Sequence, residues 1–247
     1  MRKIAVAITK GGTGKTTTAV NLAHGLSLRG KRVLLIDLDT QGQCADALGV
    51  EPPYNVADLV DKRVKPSEVL VEARPNLWLA AGGRQLAGLK RDISRRDMAP
   101  ERVLEEAFRP LLPRYDYAII DTAPSWSELN INAFFLADEV LSPVLMEILT
   151  IRGLVEFNRN IKDIRQYRPE LHLRYILPTL YDRRVRQTAE ILAQLQSTLG
   201  ELLLDPIRIN VRLSEAPGHG QTIFEYDPTS PGAEDYTKLV ERIVQDE

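Results

Sequence analysis

The sequence holds a single cysteine, Cys44, in 247 residues, so no disulfide can form within the chain and no cysteine pair is present to hold a metal. Cys44 reads as a small residue beside a loop rather than as a reactive thiol. Histidine is nearly as scarce: His24, His172 and His219 lie too far apart to make a local metal motif. Aromatic residues make up 6% of the chain and are not interleaved with basic ones, so a base-stacking or base-reading surface is not expected. No apolar run approaches the roughly 18 residues that span a bilayer, and the amino terminus passes from Arg2 and Lys3 straight into a strand. A cytoplasmic location is the expectation. Net charge is only −2, which excludes a globally basic nucleic-acid binder but leaves room for a local patch.

What is present is the ordinary apolar and charged content of a globular protein, at a length that one α/β domain over residues 1–247 accommodates. Short β-branched runs alternate with amphipathic stretches, the pattern of a parallel sheet with crossover helices. Strands are expected at residues 4–8, 33–36, 77–80, 117–120, 139–142 and 175–178. Helices are expected at about 15–29, 100–112, 126–136, 151–167, 185–199 and 232–245. Several strands are apolar without alternation, which implies a mostly parallel central sheet covered by helices on both faces. Residues 50–100, with short helical fragments at 55–60 and 66–71, read as an elaboration on that sheet rather than as a separate domain.

Directly after the first strand comes Thr9-Lys10-Gly11-Gly12-Thr13-Gly14-Lys15-Thr16-Thr17, which runs into a helix. This is the context a phosphate-binding loop requires. Glycines permit positive φ and a close backbone approach, so successive N–H groups ring the phosphates while the helix N-terminus adds its positive end. Lys15 would reach the β- and γ-phosphates, and the Thr16 hydroxyl would ligate magnesium. Thr9 stands where the strict pattern has glycine. Two strand ends add acids: Val33 to Ile36 runs into Asp37-Leu38-Asp39, and Tyr117 to Ile120 into Asp121. Ligands of open parallel sheets bind beyond the carboxyl ends of strands, so these carboxylates should converge on the loop. Asp121 would hold magnesium through a water, Asp37 would support the metal shell, and Asp39 would orient the attacking water.

With these residues in place the sequence resembles the ParA/MinD group of deviant Walker ATPases. Lys10-Gly11-Gly12-Thr13-Gly14-Lys15-Thr16 is similar to its signature without the leading glycine. Asp37-Leu38-Asp39-Thr40-Gln41-Gly42 resembles its second motif, with Thr40 where proline is usual, and Ile120-Asp121-Thr122-Ala123-Pro124 its Walker B segment. The stretch from Pro143 to Leu154, Pro178 to Arg183, Asn210 to Pro217 and Tyr226 to Tyr236 match the ParA pattern in order. There is no long amino-terminal extension, so the likeness is to the short type without a helix-turn-helix domain. The resemblance implies a slow ATPase that binds Mg-ATP and dimerises face to face, with Lys10 crossing to the partner's ATP. It also implies a base site near Arg208 and Asn210, with Arg208 where proline is frequent.

The resemblance further implies nonspecific double-stranded DNA binding by ATP dimers on the nucleoid, released by a ParB-like cargo adaptor. Residues 151–190 carry nine Lys/Arg against five acids, which suits backbone binding. Arg183, Arg184, Arg186 and Arg212 are the first candidates, with Lys162 and Arg165 second. Two rival readings make different demands on the sequence. A MinD-like membrane switch needs a basic amphipathic carboxyl-terminal helix, and although Leu239, Val240 and Ile243 share a face, this terminus ends in acids; no membrane partner is expected. A metal-transfer or amidoligase relative would want a cysteine pair or an acceptor pocket.

Overall fold

The computed structural model describes all 247 residues, the side chains of Ile148, Leu149 and Ile151 excepted. In chain order the elements are β1 (Arg2–Val6), α1 (Lys15–Leu28), β2 (Val33–Asp37), α2 (Gln43–Leu48), α3 (Val56–Val60), β3 (Leu70–Arg74), β4 (Leu77–Ala80), α4 (Leu86–Ser94) and α5 (Val103–Phe108). They continue with β5 (Tyr117–Asp121), α6 (Glu128–Leu136), β6 (Glu139–Leu145), α7 (Ile148–Ile164), β7 (His172–Thr179), α8 (Arg186–Leu199), α9 (Val211–Glu215), α10 (Ile223–Tyr226) and α11 (Pro231–Gln245). One seven-stranded sheet runs in the order β3-β4-β2-β5-β1-β6-β7, parallel throughout except for the β3–β4 pair.

The middles of the central strands, Ile4–Val6, Val33–Ile36 and Tyr117–Ile120, are apolar without alternation because both sheet faces are covered. Ile4, Val6, Val33, Leu35, Tyr117 and Ile119 point into one core, shared with α1 and α11. Ala5, Leu34, Ile36 and Ile120 point into the other, shared with α3 to α8. Alternate residues of one strand thus serve opposite cores, as the pleat requires.

The expected strands and helices are present with shifted ends, and one strand was not foreseen. Residues 70–74 form β3, antiparallel to β4, where the sequence suggested only a helical fragment to 71. The fragment is a short 3-10 turn, Pro66–Val69, that ends as β3 begins. Pro75 and Asn76 then reverse the chain, with Asn76 at φ 63°. The expected helix at 100–112 is shorter, since Pro100 and Pro113 confine its ends to 3-10 turns around α5.

α11 docks on α1 by burying Tyr236, Leu239, Val240 and Ile243. The apolar face that a membrane-binding helix would need is therefore spent in the core. The chain ends are tied to the amino edge of the sheet: Arg2 donates to the Ile243 carbonyl, Tyr175 donates to Asp246 at 2.9 Å, and Glu247 pairs with Lys31 at 2.8 Å. Among the described residues no helix is long and apolar enough to cross a membrane.

Candidate nucleotide-binding site

Between β1 and α1 the chain turns through Gly12 at φ 70° and Gly14 at φ 80°, values that glycine adopts without a steric penalty. Gly14 stands at the N-cap of α1, and no side chain caps the helix. The N–H groups of its first turn are therefore free for an anion. Gly12, Thr13, Gly14, Lys15, Thr16 and Thr17 line a cavity of about 360 Å³, closed on its other sides by Asp39, Gln43, Pro124 and Leu180. Thr13 is buried and its carbonyl accepts from the Thr179 hydroxyl at 2.9 Å, which anchors the loop to the end of β7. Lys15 is buried; its ammonium donates to the Lys10 carbonyl at 3.0 Å. Burial lowers its pKa, while Asp121 and Asp39 act in the opposite direction. Such a lysine is an under-neutralised cation beside a cavity, a ready seat for phosphate oxygens.

The carboxylates meet because the register pairs Asp37 with Asp121 at the carboxyl ends of β2 and β5. Both are fully buried. Asp37 accepts the N–H of Asp39 at 2.8 Å and of Cys44 at 3.1 Å. Asp121 Oδ2 receives the Cys44 thiol at 3.5 Å, the Thr16 hydroxyl lies near the carboxyl and acts to lower its pKa, and Oδ1 has no hydrogen-bond partner among the described residues. Burial first, and the Asp37 charge second, push the Asp121 carboxyl up to about 8; burial pushes Asp37 up to about 6. Donor atoms of Asp37, Cys44 and Asp121 lie within 4.8 Å of one another. The Cys44 thiol is itself pushed up by burial and stays protonated, a donor rather than a soft ligand. What remains is two carboxylates with an orphaned oxygen and the nearby Thr16 hydroxyl, an oxygen set that fits magnesium.

Asp39 is half-buried on the cavity wall, where its Oδ1 caps the Gln41 N–H at 3.0 Å. Behind it lie two residues that the sequence did not single out. Gly83 N–H donates to the Asp39 carbonyl at 3.0 Å. A Cβ on Gly82 would stand 2.6 Å from the Asp39 carbonyl oxygen and 2.7 Å from Asp37 Oδ1. The paired glycines after β4 were the available signal. Cys44, expected to be incidental, forms the floor under both aspartates.

A second cavity of about 140 Å³ shares Gly14, Thr17 and Leu180 with the first and adds Ile207, Arg208, Asn210, Leu213, Ser214 and Tyr236. The structure thus brings Arg208 and Asn210 beside the phosphate loop. Asn210 Oδ1 caps α9 by accepting from Arg212 N–H at 2.9 Å, and its Nδ2, buried against Gly232, has no hydrogen-bond partner among the described residues. Arg208 is held by Asp235 and Glu234, each within 2.6 Å. Leu180, at φ 50° and half exposed, overhangs both cavities.

Lys10, partly exposed, precedes Gly11 and is paired with Glu147 at 2.6 Å. Arg183, Arg184 and Arg186 gather between β7 and the start of α8, all exposed; Arg184 pairs with Asp182 at 2.7 Å and Arg186 with Glu190 at 2.8 Å. Arg212, on α9, pairs with Glu215 at 2.9 Å. Lys162 and Arg165 are exposed but do not join them. α7 starts at the nucleotide edge of the sheet, and at 1.5 Å per residue Lys162 lies about 21 Å along it toward the opposite edge. The expected patch is therefore split by the direction of a helix.

Residues 1–173 match a family described as an AAA domain. Over 246 residues the chain is 39% identical to the chromosome-partitioning ATPase Soj of Thermus thermophilus, covering 99% of this chain and 96% of that protein. It is 33% identical to the chromosome partitioning protein ParA of Caulobacter vibrioides, covering 100% and 95%. Among solved structures it resembles cobyrinic acid a,c-diamide synthase from Mycobacterium smegmatis with bound ADP and magnesium, at a TM-score of 0.84 and 32% identity over 99% of this chain and 94% of that one. The family match spans the phosphate loop and both aspartate-bearing strands, and the partition relatives align end to end. The chain therefore belongs to the ParA/Soj family of partition ATPases and hydrolyses ATP.

Proposed function

We propose that this protein is an ATP-dependent dimerising switch that lies on nonspecific DNA and positions a plasmid, chromosome or large protein cargo, turning over slowly until a ParB-like adaptor stimulates it. In this reading the protein is cytoplasmic and nucleoid-associated. Lys15 and the loop from Gly11 to Thr17 hold the triphosphate, Arg208 and Asn210 flank the base, and Thr16, Asp37 and Asp121 hold magnesium. Magnesium, when bound, supplies positive charge against the phosphate oxygens. Asp39 orients the attacking water from the wall of the phosphate cavity.

The observation that carries the dimer is Lys10. It is partly exposed beside the loop that lines the cavity, and among the described residues its one ion-pair partner is a surface carboxylate, Glu147. A face-to-face copy would bring this lysine to the other subunit's phosphates. Two unit charges about 4 Å apart at an effective dielectric near 20 attract by roughly 4 kcal/mol, enough to make association depend on the triphosphate. Lys10→Ala is expected to bind nucleotide but stay monomeric on a sizing column with a nonhydrolysable ATP analogue. A stable nucleotide-dependent dimer of that variant would remove the basis of the proposal.

Backbone binding of DNA falls to Arg183, Arg184 and Arg186 with Arg212, all near the nucleotide edge of the sheet. Each neutralised phosphate releases counterions, so retention should fall steeply with salt and ignore sequence. The likeness to a structure named for a diamide synthase makes an amide-forming enzyme the second reading. Turnover that rises with DNA and adaptor, rather than with a carboxylate acceptor, separates the two.

A further inference from the structure

Three walls of the nucleotide cleft come from distant parts of the sequence: α1 with the phosphate loop, residues 37–49 with the aspartates and α2, and residues 207–221 with the base cavity. They converge on a side chain that belongs to none of them. Arg74 ends the edge strand β3, and its side chain is 19% exposed. Every N–H of its guanidinium has an acceptor. Nη1 donates to the carbonyls of Leu48 at 3.0 Å and Ala73 at 2.6 Å. Nη2 donates to the Gly220 carbonyl at 2.9 Å and to Glu225 Oε2 at 3.2 Å, while Nε donates to Glu225 Oε1.

These acceptors are the ends of the walls. Leu48 closes α2, and Gly220 closes the turn that follows α9. The two segments touch there backbone to backbone: a Cβ on Gly220 would lie 2.7 Å from the Gly49 Cα, and both glycines have φ of 63°. Glu225 extends the junction to the third wall. It accepts from the Thr222 N–H at 2.9 Å and hydroxyl at 3.1 Å, and that hydroxyl lies 2.6 Å from His24 Nδ1 in α1. Nearer the phosphates the walls stand apart around a cavity of about 220 Å³ lined in part by Thr16, Thr17, Gln43, Asp46, Leu213 and Gln221. Their separation is thus fixed in part at the junction, alongside the packing of α2 against α1 and against the turn at 216–219. A planar fork with five donors can grip two carbonyls and a carboxylate together; an ammonium cannot.

We infer that Arg74 is a positioning residue of the ATPase site, fixing the spacing between the base cavity and the Asp37–Asp39 loop so that a nucleotide held at both ends meets Asp39 in register. The inference rests on the roles proposed above for Asn210 and Asp39. The test uses the full chain with Arg74→Ala and Arg74→Lys, measuring with magnesium the affinities for ATP and for inorganic tripolyphosphate, steady-state hydrolysis, and thermal unfolding. The wild type is expected to prefer ATP. Arg74→Ala should lose about 10-fold in ATP affinity and in kcat while keeping its tripolyphosphate affinity, because a displacement of an ångström or less at a distance from the chemistry has effects of this order. Arg74→Lys should recover thermal stability but not the preference for ATP. A preference retained in Arg74→Ala, or restored in Arg74→Lys, overturns the inference; if Arg74→Ala does not fold, the lysine variant decides alone. A wild type that binds both ligands equally would instead sink the base-site reading beneath it.

Discussion

Gly82→Ala adds one methyl group, yet it tests directly the role proposed for Asp39. Gly82 does not need the left-handed conformation, so the substitution acts through space alone. The new Cβ would stand 2.6 Å from the Asp39 carbonyl oxygen and 2.8 Å from Asp37 Cγ. Ordinary contact begins near 3.4 Å, so something must yield by about 0.8 Å. Asp37 is fixed at the end of a fully buried strand and by the Cys44 N–H, so the Asp39 loop, whose own N–H rests on Asp37, is the part expected to yield. Misplacing a water-orienting group by about 1 Å costs roughly 100-fold in rate, while overpacking costs about 1–3 kcal/mol in stability. The phosphate loop lies on another segment and should bind nucleotide as before. Phosphate release and the affinity for a fluorescent ATP analogue, measured side by side, separate the effects. Wild-type turnover in a folded Gly82→Ala protein would refute the claim that the Gly82–Gly83 turn seats Asp39.

Other expectations follow from the same geometry. Asp121→Asn removes a buried carboxyl whose folded pKa, about 8, lies above its unfolded value of 3.8; such a group costs stability as pH rises through that window. The metal-free variant should therefore melt higher than wild type at pH 8, with the gain vanishing near pH 4, while magnesium-dependent hydrolysis is lost. His24 has the opposite sign. Burial lowers its pKa, so the stability that its neutral form provides is complete above the unfolded value of about 6.5 and drains away as pH falls through the folded one. His24→Gln should flatten the acid limb of a melting-temperature profile between pH 7 and 5, and an unchanged slope would contradict this assignment. Reversing charge at Arg183 and Arg184 together should abolish DNA retention at moderate salt while leaving the nucleotide-dependent dimer intact. The same reversal at Lys162 and Arg165 should have a much smaller effect, measured by electrophoretic shift on the same duplex.

The phosphate loop and its aspartates were legible because their chemistry demands particular residues at fixed spacing next to a strand. Asp37 and Asp121 face each other for a reason the sequence does carry: each ends an unbroken apolar run, and parallel neighbours align such ends. β3 was not legible. A half-exposed edge strand alternates weakly, and the turn that reverses it rests on an asparagine in a glycine-like conformation. Cys44, Gly82 and Arg74 were hidden for a different cause. Their meaning lies in what they touch, and the Gly220 carbonyl that Arg74 grips is 146 residues away. The basic patch shows the converse failure. Composition grouped the cations of residues 151–190, but α7 carries Lys162 and Arg165 away from Arg183, Arg184 and Arg186 because a helix spends its length in one direction.

The knot of Arg2, Lys31, Tyr175 and the final acidic residues leaves both chain ends at the floor of the sheet, with the ATP cleft at its roof. A fluorescent protein or an immobilising handle attached at Met1 or Glu247 would hang beneath the molecule, and the nucleotide cavity at the roof would remain uncovered. Labelled versions should consequently keep their ATP hydrolysis, provided that the linker leaves the side-chain carboxylate of Glu247 within reach of Lys31.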